Sequence, residues 1–136
     1  MVRVCFPFSH EKSETLIRVA RPLARVTLRS ASGEKFDISA LVDSGADISI
    51  LSPGIASILG LDIRRGSRKT FHGLGGTIHA YVHRINLQLG PVRLRARVAF
   101  PEVDVPNILG RLDILKDSSI HFIDEKEVCF EFREDK

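Results

Sequence analysis

The chain has no tryptophan, one tyrosine and only two cysteines in 136 residues. Two cysteines, Cys5 and Cys129, stand near opposite ends. That is neither a disulfide framework nor a metal-ligand spacing. Both lie in strand-like segments, VRVCF and VCFEF, and read as small buried apolar residues of a reducing cytoplasm. The other reading sets the terminal strands side by side, with the thiols as neighbours. Histidines are scattered without ligand spacing, so neither a metal nor a cofactor is expected. No apolar run approaches a membrane span, and no N-terminal stretch is long enough for a signal peptide. The expectation is a soluble cytoplasmic protein, or a soluble domain of a longer one.

What is present reads as globular. Apolar residues make up 43% and charged residues 27%, which excludes a disordered chain. The length suits one domain, 1–136, able to bury roughly two-thirds of its unfolded surface. The net charge of +3 is a mild basic bias. Arg93, Arg95 and Arg97 alternate in VRLRARV and share one strand face. This reads as a solvated face opposite Val92, Leu94, Ala96 and Val98. Without interleaved aromatics or a nucleic-acid motif, no nucleic-acid partner is expected.

Periodicity is mostly two, so the fold class is mainly β. VRVCFPF reads as a strand and SHEKSE as a loop. TLIRVA and LARVTLRS read as strands broken at Pro22, and FDISALVD follows a turn at SGEK. SPGIASILG carries helix signals, with Ser52 as cap, Pro53 in the first turn and Gly60 as stop. RKTFHGLGGTIHAYV gives two strands around a glycine-rich bend. The apolar phase then slips at His83–Arg84, which predicts a β-bulge or bend. Gly90–Pro91 turns the chain into VRLRARVAF. RLDILKDS is expected as a short helix with Leu112 and Leu115 inward, and IHFIDEKEVCFEF as a closing hairpin.

Three segments carry chemistry. In ALVDSGADISIL, Asp43 follows Ala40, Leu41 and Val42, where a strand should be burying itself. A buried ionised carboxylate is costly unless it is held, shares its proton or is used. Ser44, Gly45 and Ala46 then suit a tight supporting loop. The second segment is NILGR, Asn107–Arg111, where Gly110 would let another segment pass close. The third is Gly73, Leu74, Gly75 and Gly76 at a hairpin tip. Three glycines there suit a mobile flap. A phosphate loop is excluded because no Lys-Ser/Thr and no helix follows. Each segment alone is a weak signal. Asp37, Asp62, Asp104 and Asp113 lack the Asp-Ser-Gly context and read as surface or cap residues.

In this order and spacing the trio resembles the retropepsin-like, retroviral-type aspartic proteases, over roughly residues 23–115. The longer N-terminal stretch, 1–20, and the C-terminal hairpin, 120–132, look more like a cellular or bacterial member than a viral one. The resemblance implies a closed β-barrel with one or two short helices, working as a homodimer on a polypeptide substrate. Each chain carries one motif, so Asp43 of two copies would meet, share one proton and activate a water for peptide-bond hydrolysis. It also implies supporting roles. Ser44 would bond across the dimer, Gly45 would offer its carbonyl to substrate backbone, and Ala46 completes the motif. Asp47 would pair with Arg111 and contact substrate, or be only its structural partner. Gly73, Leu74, Gly75 and Gly76 would form the flap, with His72 an exposed neighbour. The terminal segments would enter the dimer interface. The alternative function is a catalytically silent peptide-binding or dimerisation module on the same fold.

Overall fold

Alternating apolar positions generate the strands of the computed structural model, which describes residues 1–12, 18–73 and 76–133. In chain order these are β1 (Val2–Pro7), β2 (Ser9–Lys12), β3 (Arg18–Arg21), β4 (Leu23–Arg29), β5 (Lys35–Val42) and β6 (Ser49–Ile50). Helix α1 (Pro53–Ile58) and a 3-10 turn at Ile63–Arg65 follow. Then come β7 (Ser67–Gly73), β8 (Gly76–Leu89), β9 (Val92–Pro101), β10 (Ile108–Leu109), β11 (Ser118–Ile123) and β12 (Glu127–Phe132). The chain is a single small, mainly β domain.

The main sheet runs β4-β5-β10-β6-β9-β8-β7, and Thr27 of β4 also pairs with Gln88 of β8. That pairing closes six strands into a barrel and leaves β7 outside the ring as the partner of β8. Val26, Leu28, Leu87, Leu89, Val98 and Phe100 are among the buried side chains of the barrel core. Each such burial contributes about 1.5–3 kcal/mol. The terminal strands form a second sheet, β1-β12-β11, whose Val128, Phe130 and Phe132 join the same core.

Strand β8 serves two clusters. Ala80 is buried with Ile48 and Ala99, with Phe71 and Val82 packed alongside, whereas Ile85, Leu87 and Leu89 enter the barrel core. The apolar phase therefore changes between Val82 and Ile85, as the sequence shows. The expected bulge is not there, because the ladder from Ala80↔Pro101 to Leu89↔Val92 is unbroken. Opposite faces of one long strand are simply buried in turn.

Four other expectations are corrected. Ser9–Lys12 is a strand paired with Arg18–Arg21, not a loop. Its polar residues carry no burial signal, and only the partner strand identifies it. Ser52 occupies the cap position of α1, but its hydroxyl makes no cap bond; its N–H instead donates to Asn107 Oδ1 at 3.1 Å. No helix follows Arg111. The segment turns, with Asp113 in the left-handed region at φ 65°. Finally, Cys5 and Cys129 are not two buried thiols. They face each other across β1 and β12 and form a disulfide, so the side-by-side reading of the terminal strands is the one observed. The cytoplasmic expectation drew in part on free thiols, and that part loses its ground. Among the described residues no helix is long and apolar enough to cross a membrane.

The disulfide joins residues 124 apart in sequence, so it restricts nearly the whole unfolded chain. Urea unfolding of the oxidised protein against a Cys5→Ala/Cys129→Ala double variant is expected to show a loss of about 2–4 kcal/mol. Equal midpoints would mean that the strand pairing alone holds β1.

Candidate active site

Asp43 is the first residue beyond β5, and the loop that follows supports it from the backbone. The N–H of Gly45 donates to Asp43 Oδ1 at 2.9 Å, and the N–H of Ala46 donates to the Asp43 carbonyl at 3.1 Å. The carboxylate is half-buried rather than fully enclosed, and Ser44 and Gly45 are exposed beside it. This resolves the apparent conflict of an acid after Ala-Leu-Val. The strand buries Ala40 and Val42, then ends where the carboxylate emerges.

The second segment is threaded through the first. Strand β10 lies parallel to β5, with Ile108↔Leu41 and Leu109↔Val42, and antiparallel to β6, with Ile108↔Ile50. The Asp43 N–H donates to the Leu109 carbonyl, while the N–H groups of Arg111 and Leu112 donate to the carbonyls of Ala46 and Asp47. At the crossing point Gly110 leaves no room for a side chain. A Cβ there would lie 2.6 Å from the backbone carbon and oxygen of Ile48 and 2.9 Å from the Ala46 oxygen. The Gly110 N–H donates at 2.9 Å to Ser49 Oγ, which is itself buried. Sequence reasoning misses Ser49. Its one signal is a small hydroxyl between Ile48 and Ile50 in an apolar run.

Arg111 then donates from its guanidinium to Asp47, bringing those two residues together at the mouth of the loop. Asp47 is 86% exposed and Arg111 49% exposed. Such a pair contributes little to stability, and its value lies in fixing side-chain positions. Asp113, read from sequence as a surface or cap residue, is instead a clamp. Its carboxylate accepts the Arg97 backbone N–H at 2.9 Å and two guanidinium N–H bonds at 2.8 and 3.0 Å. The side-chain bond from Arg97 holds the Asp113 carboxyl at about 2, against the upward push of burial, with the Arg97 N–H and the charges of Arg97 and Arg84 adding to it.

Across a cleft from Asp47 and Ile48 stands the β7–β8 hairpin, paired from Ser67↔Val82 to Gly73↔Gly76. Gly76 takes φ 107°, which favours glycine. Leu74 and Gly75 lie outside the described residues. His72 is exposed and bonds Thr77 across the hairpin at 3.2 Å. Between the hairpin and the Asp47 loop opens a cleft of about 520 Å³, with Ile48, Phe71, Val82 and Leu112 as its apolar lining. The one metal-like trio among the described residues is Cys5, Glu127 and Cys129, and the disulfide consumes both sulfurs.

The model of the family described as "Aspartyl protease" matches residues 21–111, a span that contains Asp43, the β7–β8 hairpin and Gly110–Arg111. The chain belongs to the aspartyl protease family. No curated protein matches the chain in sequence. Among solved structures, a retropepsin-like aspartic protease from Rickettsia conorii is similar with a TM-score of 0.63, covering 95% of this chain and 98% of that one. At 15% identity that likeness is one of fold: this aspartyl protease domain has the retropepsin-like architecture.

Two outcomes follow for this aspartyl protease domain. Gly110→Ala is expected to lose about 2 kcal/mol or more in chemical unfolding, because only backbone can move away from the new methyl. Unchanged stability would mean that β10 does not pass so close to Ile48. Asp113→Asn is expected to cost about 1–2 kcal/mol near neutral pH, allowing for solvent around Arg97, which is 39% exposed. A depressed folded-state carboxyl stabilises above the unfolded value, so the difference between wild type and variant should be full above about pH 4 and vanish as pH falls through about 2. Melting curves across pH 2–6 would test this, and a pH-independent difference would refute it.

Proposed function

We propose that the chain is an aspartic endopeptidase that hydrolyses peptide bonds at a site built from two copies. The observation that carries this reading is the single backbone-supported Asp43, half-buried at a strand end and held by a glycine loop that β10 locks in place. One carboxylate is half of an acid–base pair. A second copy supplies the other half, and two close carboxylates hold one proton between them, an effect for which aspartic proteases are the standard example. The ionised Asp43 takes a proton from water, while the protonated one polarises the scissile carbonyl. The water oxygen bonds to the carbonyl carbon, and a proton then passes to the leaving amine as the C–N bond breaks.

The remaining parts take supporting roles. Ser44 is exposed and takes the role of bonding across the dimer. Gly45 offers its carbonyl to an extended peptide and Asp47 contacts that peptide's backbone, while Arg111 holds Asp47 in place. The β7–β8 hairpin, with Gly73, Leu74, Gly75 and Gly76 at its tip, serves as the flap, and the peptide binds as an added strand beneath it. The interface is assigned to the terminal sheet, whose edge strand β11 carries Phe122, about half exposed at 47%. No metal or covalent intermediate is required.

Cleavage of a mixed peptide library from about pH 4 to 7, read by mass spectrometry, tests the reading. Asp43→Asn is expected to lose at least about 10²–10⁴-fold in rate. Excess Asp43→Asn protein should also suppress wild-type activity by forming mixed dimers. Equal cleavage by both proteins would refute the assignment. No cleavage by a folded wild-type dimer would favour a peptide-binding module on the same fold.

A further inference from the structure

The cleft between the β7–β8 hairpin and the Asp47 loop has an uneven charge. Four ionisable side chains line it: Asp47, Lys69, Arg84 and Arg97. Two of them are already engaged, Asp47 by Arg111 and Arg97 by Asp113. Lys69 and Arg84 remain, both exposed and neither held by an ion pair among the described residues. They lie on one face with Phe71 and Val82, since Ser67 pairs with Val82 and Lys69 with Ala80. The cleft thus offers an apolar floor under two cations that sit outside any close ion pair, with Arg84 only sharing the field of the Asp113 carboxylate.

Arg84 also faces Arg97 directly across the β8–β9 ladder. Like charges opposite each other in a sheet are destabilising. Asp113 pairs with the Arg97 guanidinium through two hydrogen bonds, and the same carboxylate also feels the charge of Arg84, so one acid serves two cations. Arg84 further lines the adjoining groove of about 640 Å³, which collects Arg29, Lys35, Arg93 and Arg95. The surrounding field is therefore positive, and it favours anionic groups entering the cleft.

We propose that this cleft selects substrates carrying an acidic side chain, Glu or Asp, within the peptide segment bound around the scissile bond, with the carboxylate between Lys69 and Arg84 and its stem on Phe71, Val82 and Leu112. The inference rests on the endopeptidase reading above and adds its substrate class. Glutamate fits the geometry well, because its methylenes cover the apolar floor while the head reaches the cationic rim. An uncharged isostere keeps the stem contact and loses the ion pairs. A lysine meets two like charges.

Peptide sets in which each position from four before to four after the scissile bond is fixed in turn as Glu, Gln or Lys provide the test. At one or more positions the wild type is expected to favour Glu over Gln by roughly three- to tenfold in kcat/KM, with Lys lowest. The preference should fade as salt is raised. In Lys69→Glu/Arg84→Glu the order should reverse toward Lys. A flat order in an active wild type, or a Glu preference retained in the double variant, would overturn the inference while leaving the protease reading intact. Should no peptide be cleaved, the same Glu, Gln and Lys peptides, fluorescently labelled, are titrated against Asp43→Asn protein. Tighter binding of the Glu set supports the cleft's preference without catalysis. Equal binding, or no binding, of the three sets overturns it.

Discussion

The backbone crossing at Gly110 is the constraint on which the rest of the structure depends. Strand β10 can enter between β5 and β6 only because position 110 has no side chain to set against Ile48 and Ala46. Once it is in place, the Leu109 carbonyl takes the Asp43 N–H, Ser49 takes the Gly110 N–H, and the next two N–H groups close onto Ala46 and Asp47. The loop that carries Asp43 is thus fixed by hydrogen bonds from a segment far later in the chain. Buried backbone groups left unpaired are expensive, so these bonds also set a penalty on any slip of the loop.

The barrel and the cleft are two products of the same long hairpins. In its second half β8 turns Ile85, Leu87 and Leu89 into the barrel core, which holds the scaffold rigid. In its first half it turns Ala80 and Val82 toward Ile48 and Ala99, building a smaller apolar cluster next to the Asp47 loop. Arg84 falls where one face gives way to the other, and so it lines both grooves. The arginines of β9 divide in the same way. Arg97 is drawn into a half-buried clamp with Asp113, while Arg93 and Arg95 stay exposed.

The terminal segments add a further layer. Strands β1, β12 and β11 pack their inner side chains against the barrel core, and the Cys5–Cys129 bond ties the first strand to the last. In the proposed reading two copies of the Asp43 loop form the acid–base pair, and the surface that joins them is then part of the proposed site.

Much of this was legible in the sequence by itself. Period-two alternation marks most of the strands, Pro22 and Gly90 punctuate them, and the ordered trio of Asp43-Ser44-Gly45, the glycine tip and Gly110-Arg111 marks the family. Those signals are local, a few residues long, and survive without knowledge of neighbours. Tertiary structure alone decided the rest: the pairing of Cys5 with Cys129, Ser9–Lys12 as a strand, Ser49 beneath Gly110, and Asp113 turned back onto Arg97 in place of a helix. Each depends on a partner far away in the chain or on the opposite strand. A polar strand, a buried hydroxyl or a left-handed aspartate has no periodic signature of its own, and its cost is offset only by the contact that the fold brings to it.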